Sequence, residues 1–179
     1  LMNVWLAVGI SVIVSTLTGL LLGLPILNLR GDYLAIVTLG FGEIVRILIR
    51  SDLLTFLTNG PKGVTNVIQP SWLGKVFSDV NYTHFLFLLV LIALFIAKRL
   101  KDSRTGRSWI AIREDQTVAQ ATGINTFKSK LLALALGAAL AGLAGALFAS
   151  RNQFTGPEDF TLMVSVNVLC IVIVGGMGS

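Results

Sequence analysis

The chain is 179 residues long, with 14 Lys+Arg against 9 Asp+Glu and one His; it is 54% hydrophobic, only 13% charged, and has a mean hydropathy of +0.82. Roughly a quarter of the residues of a soluble domain are charged, so this chain cannot coat a water-facing globule, and its apolar content excludes intrinsic disorder. The class left is an integral membrane protein, and its formal charge of +5 is local: segment 98–130 holds eight Lys and Arg against three acids, and the rest is neutral.

A bilayer core demands roughly 20 apolar residues of helix, and in hydrocarbon a helix satisfies its own backbone. The chain therefore reads as all-α, a polytopic membrane helix bundle with about five transmembrane segments. The first run, 1–29, is uncharged; its helix is expected over 4–24, because Pro25 removes a donor. The second, 33–49, carries Glu43 and Arg46. The third covers about 82–97, the fourth 131–149, and the fifth begins near Phe160 and continues to the end. The chain starts at Leu1 and stops on Gly175-Gly176-Met177-Gly178-Ser179, so the expectation is one partial transmembrane domain, 1–179, truncated at both ends. Short loops rich in Lys and Arg stay inside, which makes 98–130 cytoplasmic and 51–81 and 151–159 external. Arg30 at an inner end agrees; Arg50 and Arg151 fall outside, two against eight.

Catalytic motifs are absent. There is no phosphate-binding loop, Gly40-Phe41-Gly42 is followed by Val45 where a dinucleotide loop needs glycine, and the single His84 cannot build a Ser/His/acid set. His84 reads as an interfacial side chain and Cys170, in the fifth span, as a buried inert residue. Neither a cofactor nor a metal is expected in this chain, nor a nucleic-acid partner, since the basic residues flank a span without an aromatic platform.

In the second span, Thr38, Gly42, Glu43 and Arg46 lie along one side. Ionisable residues at membrane depth usually face a bundle interior or a cavity, so this stripe is a candidate translocation path or gate. The structural alternative is an intrahelical Glu43–Arg46 pair snorkelling near the outer interface. In the fourth span Gly137, Ala141, Gly145 and Ala149 repeat every four residues, as do Ala138, Gly142 and Ala146. Such faces let membrane helices approach closely, and Gly137, Ala141, Gly142 and Gly145 are the expected packing positions. In the cytoplasmic segment, 108–122 lacks Pro and Gly and reads as one short helix stopped by Gly123, with Asn125 or Thr126 capping the next. The upstream cations suit anionic membrane lipids. A charged helix between spans suits a soluble partner.

Gly31-Asp32-Tyr33-Leu34-Ala35-Ile36-Val37-Thr38-Leu39-Gly40-Phe41-Gly42-Glu43-Ile44-Val45-Arg46 resembles the signature stretch of the branched-chain amino acid ABC transporter permeases of the LivM type. Gly106-Arg107-Ser108-Trp109-Ile110-Ala111-Ile112-Arg113-Glu114-Asp115, with Ala119 and Gly123-Ile124, is similar to that family's coupling loop, and the small-residue span and closing glycines also resemble it. The resemblance implies a permease subunit of an ATP-driven importer in a bacterial or archaeal plasma (inner) membrane. It implies ABC ATPase subunits, a second related permease and a periplasmic or extracellular substrate-binding protein as partners. Arg113, Glu114, Asp115, Ala119 and Gly123 would then form the ATPase-docking helix. Gln116 and Thr122 depart from the family pattern, as does Asn59 in Asn59-Gly60-Pro61-Lys62-Gly63, where the family has glycine first. A secondary transporter or channel without an ATPase is the alternative, and it would need a mid-membrane ion site for which Glu43 is the candidate.

Overall fold

The computed structural model describes residues 4–27, 32–51, 55, 59–67, 71–72, 75–76 and 79–176. Among them are seven α-helices: α1 (Val4–Ile26), α2 (Asp32–Arg50), α3 (Asp79–Lys101), α4 (Arg104–Glu114), α5 (Gln116–Ala121), α6 (Thr126–Asn152) and α7 (Leu162–Val174). The chain is an all-α polytopic membrane protein. In α1, α3 and α6 the described helix is long and apolar enough to cross a bilayer. α2 is 19 residues long but carries Asp32, Glu43, Arg46 and Arg50, and α7 is described over only 13 residues.

The chain divides into two compact units, Leu1–Leu27 with Gln69–Ala146, and Asn28–Ile68 with Leu147–Ser179. In the first, α1 and α3 begin at the same end: Trp5 packs edge-on against Phe85 with centroids 5.5 Å apart, and Tyr82 is 3% exposed beside them. α6 runs antiparallel to α1. A Cβ on Gly23 would meet Leu131 and Leu134, one on Gly19 would collide with Ala138, and one on Gly142 would come within 2.5 Å of the Ser15 Cβ. Leucine gains nothing by leaving lipid for leucine, so close backbone approach and interhelical hydrogen bonds must hold such a pair. Both are present. Ser15 Oγ donates to the Ala138 carbonyl at 2.6 Å, and Ser11 Oγ donates to the Gly142 carbonyl at 3.1 Å. The α3 end and the α6 start, which flank 98–130, therefore lie on the side opposite the start of α1. A two-residue ladder, β2 (Ser71–Trp72) with β3 (Lys75–Val76), also belongs to this unit.

The second unit holds α2, a 3-10 turn (Gly60–Lys62), β1 (Val64–Thr65) paired antiparallel with β4 (Phe154–Thr155), a second 3-10 turn (Pro157–Phe160), and α7. Asn59 has φ 58°. Asparagine is among the few non-glycine residues at ease in that left-handed region, which explains why it can stand where the resembling family writes glycine.

Four expectations change. α1 passes through Pro25 to Ile26, because a proline in the final turn forfeits a single bond and Leu27 N–H still reaches the Gly23 carbonyl at 3.0 Å. α3 and α6 extend beyond their apolar runs, since Lys and Arg at helix ends can carry the helix onward into the interface. The segment 108–122 is two helices, not one. Cys170 is exposed, not buried, because no residue of α7 is buried. The terminal residues 177–179 lie outside the described ones.

Gly142→Leu is expected to cost about 1–3 kcal/mol by overpacking the serine seam, read as a lower unfolding midpoint of the full-length protein in detergent. Gly145, with nothing within 4 Å of a built Cβ, should accept alanine with no loss, since alanine is the better helix former by about 0.5–1 kcal/mol. Equal losses at both positions would remove the seam from its structural role.

Candidate functional site

The segment between α3 and α6 is built as an elbow. Ser103 Oγ accepts the Gly106 N–H at 3.3 Å and so caps the start of α4. α4 ends because Asp115 turns extended, with φ −152° and ψ 116°. The Asp115 carboxylate then accepts the N–H groups of Thr117 (2.6 Å) and Val118 (3.0 Å) and starts α5. The bond from Val118, then that from Thr117, holds the Asp115 carboxyl below its ordinary value. α5 closes on Gly123, at φ +87°, with Ile124 N–H bonded to the Ala119 carbonyl and Gly123 N–H to that of Gln120, both at 3.0 Å. That pairing satisfies two end carbonyls and requires a left-handed residue, hence glycine. Asn125 Oδ1 accepts the Lys128 N–H at 2.9 Å and opens α6.

Three side-chain bonds tie the elbow to the base of α6. Trp109 Nε1 donates to the Ser129 carbonyl at 2.8 Å, Gln120 Nε2 to Thr126 Oγ1 at 2.9 Å, and Lys130 Nζ to Gln116 Oε1 at 2.9 Å. Gln116 therefore has a local partner in Lys130. Thr122, the other departure from the family pattern, donates to the Ala119 carbonyl at 2.9 Å.

Of the five residues proposed to face an ATPase, the structure presents two to solvent with their side chains uncommitted to the fold. Arg113 and Glu114 are exposed at the end of α4. Asp115 caps α5, Ala119 is 2% exposed beneath it, and Gly123 makes the turn. The last three shape the surface. Val118, 60% exposed, and Ile110, 44% exposed, add apolar area that the charge pattern of the sequence did not flag. Trp109 was also missed; a lone tryptophan beside a basic segment was its signal.

In the second unit, Glu43 and Arg46 do pair. Arg46 Nε donates to both Glu43 oxygens at 3.1 Å, and its Nη2 also donates to one of them. Glu158 joins them: it lies 3.7 Å from Arg46 and accepts from Arg50 Nη1 at 3.1 Å. Sequence separation hid Glu158, 108 residues from Arg50. Thr38 and Gly42 are exposed on α2, and nothing lies within 4 Å of a Cβ built at Gly42. On α6, Gly142 is at the serine seam, whereas Gly137 and Ala141 are exposed and Gly145 has open space. Among the described residues no group of His, Cys, Asp and Glu could hold a metal ion.

A family profile described as the permease component of branched-chain amino acid transport systems matches residues 1–179. Two bacterial relatives carry the name high-affinity branched-chain amino acid transport system permease protein LivM. That of Salmonella typhimurium is 43% identical and that of Escherichia coli strain K12 41%, each alignment covering 98% of this chain and 46% of the relative. A probable branched-chain amino acid transport permease protein of Methanocaldococcus jannaschii is 26% identical over 94% of this chain and 54% of its own length. The chain thus spans about half the length of these relatives. No solved structure matches it.

Because the folded-state carboxyl of Asp115 is depressed, the stability it lends α5 is present above the ordinary aspartate value and is lost as pH falls through the depressed one. Amide protection at Thr117 and Val118, corrected for the intrinsic pH dependence of exchange, should fall in that window. Asp115→Asn should keep the cap without the pH dependence, and Asp115→Ala should open both amides at neutral pH. In the charged cluster, a double-mutant cycle on Arg50 and Glu158 should give a coupling under about 1 kcal/mol, since both side chains are more than half exposed.

Proposed function

Because this chain belongs to the permease-component family of branched-chain amino acid transport systems, we propose that it forms the membrane pathway of an ATP-driven importer of branched-chain or related amino acids. Separate ATPase subunits, a second related permease and an external binding protein complete that machine, and ATP is hydrolysed in the partners. The observation that carries the proposal is the elbow. Two exposed charged side chains, Arg113 and Glu114, stand at a helix break that is capped from within and bonded three times to the base of α6. A push on that surface moves the base of α6 with it, because none of the three bonds has a free loop between its ends and the helix.

In this reading 98–130 is cytoplasmic, as its cations argue, and 51–81 and 151–159 are external. The packing direction of α1, α3 and α6 supports that alternation. The stripe of Thr38, Gly42, Glu43 and Arg46 borders the path, with Glu43 neutralised by Arg46. That neutralisation weighs against a coupling-ion site at Glu43 and so against an ATPase-independent carrier.

Co-purification of the full-length protein with its ATPase is the test. Glu114→Arg should lower the recovered ATPase by about tenfold or more, as reversing a charge at an interface does, and should abolish leucine uptake in membrane vesicles. Undiminished ATPase recovery and uptake would remove the elbow from its docking role. A cysteine placed at Gln120, in a Cys170→Ser background, should react with an impermeant maleimide only from the cytoplasmic side.

A further inference from the structure

The elbow encloses a feature that docking of a soluble protein does not explain. The end of α3 and the length of α4 form an open groove of about 320 Å³, lined by Ala97, Leu100, Lys101, Trp109, Ile110 and Arg113. Its floor is apolar. The two cations at its rim, Lys101 and Arg113, are exposed, and among the described residues neither makes an ion pair. No acid lines it.

The groove also continues a path along α3. Phe87, Val90, Leu94 and Ala97 recur at alternating three- and four-residue steps, so they stand on one face of the helix, and Lys101 is the next position on that face. All are exposed: Phe87 by 64%, Val90 by 54% and Leu94 by 61%. An apolar stripe of about 15 Å, roughly half a span, that ends in a lysine beside a second cation has the order of parts of a phospholipid: chain, glycerol, phosphate.

We propose that this groove seats one anionic phospholipid of the leaflet nearest 98–130. Its phosphate lies between Lys101 and Arg113, its glycerol lies over Leu100 and Ile110, and one acyl chain follows Ala97, Leu94 and Val90. The volume suits the glycerol and the first part of one chain, and the stripe takes the rest. Charge selects the occupant. Two unpaired cations and no acid favour a headgroup with net negative charge, whereas a zwitterionic lipid brings its own cation against them. The apolar floor argues against free phosphate, which would leave it wet. The proposal rests on the elbow standing at the inner interface, as above, but lipid retention in detergent does not depend on which side that is.

The experiment uses the full-length protein reconstituted in nanodiscs of equal parts phosphatidylglycerol and phosphatidylcholine, then washed into mild detergent, with retained lipid measured by mass spectrometry. The wild type should retain phosphatidylglycerol well in excess of phosphatidylcholine. Lys101→Gln should lower that retention by about fivefold, the worth of one cation near a lipid surface, while Lys101→Arg should preserve it. Ile110→Trp, which fills the groove without touching charge, should also lower it. Retention of the two lipids in their membrane ratio, or unchanged retention in both Lys101→Gln and Ile110→Trp, overturns the proposal. So does displacement by inorganic phosphate that is indifferent to Ile110→Trp, which would make this a phosphate site. Loss of ATPase from Lys101→Gln with phosphatidylglycerol still bound would make it a protein seat, and also overturns it. Failure of the docking reading shows separately, in Glu114→Arg, which leaves phosphatidylglycerol retention untouched.

Discussion

A helix already in hydrocarbon has little to gain from hiding its leucines, and that constraint shapes everything in the first unit. Packing must come from backbones that touch and from hydrogen bonds that cross between helices. Ser11 and Ser15 meet the carbonyls of Gly142 and Ala138 for this reason, and Gly19 and Gly142 have no side chain because nothing larger fits. The same constraint leaves Phe87, Leu94 and their neighbours exposed without penalty. In water that surface would be an aggregation hazard; in a bilayer it is the solvated face.

Charge obeys the complementary rule. Most ions are driven to helix ends and loops, and the net charge gathers in one place, 98–130, where the chain must turn between α3 and α6. A turn there could have been a loose basic linker. Instead Ser103, Asp115 and Asn125 each supply a side-chain oxygen to a helix start, and Gly123 closes the short α5. Local chemistry fixes the elbow first. Trp109, Gln120 and Lys130 then fix it to α6. Rigidity of this kind fixes where the exposed Arg113 and Glu114 stand relative to the base of α6.

Hydropathy located the helices because a run of 16 to 20 apolar residues has few other fates in a chain this poor in charge. It placed their ends less well, since Lys98, Arg99 and Lys101 extend α3 past the apolar run. Small-residue spacing identified α6 as a packing helix but offered two faces. Only the position of the α1 serines decides between them, and it selects Ala138 and Gly142. The break at Asp115 was legible in principle, since aspartate is a strong N-cap; the absence of Pro and Gly hid it. The two-residue ladders could not be read, because two residues define no period. Glu158 could not either, because its partners are distant in sequence.

The two sites differ in how firmly they are held. The elbow depends on directional bonds to backbone and part-buried groups, whereas Glu158 holds α2 through side chains that are more than half exposed, on itself and on Arg50. Exposed ion pairs contribute little and are screened by salt, so the contact between α2 and the 157–160 turn can be broken at small cost. Local opening begins where such contacts are weakest. Within the second unit, α2 is therefore held to this turn only weakly. In Glu43 and Arg46 it also has a pair that stays internally neutral when Glu158 leaves, because Arg46 bonds both Glu43 oxygens without it. Release of the turn therefore leaves Glu43 and Arg46 matched, and in this cluster only the half-exposed Arg50, at the end of α2, gives up a hydrogen-bonded partner to water.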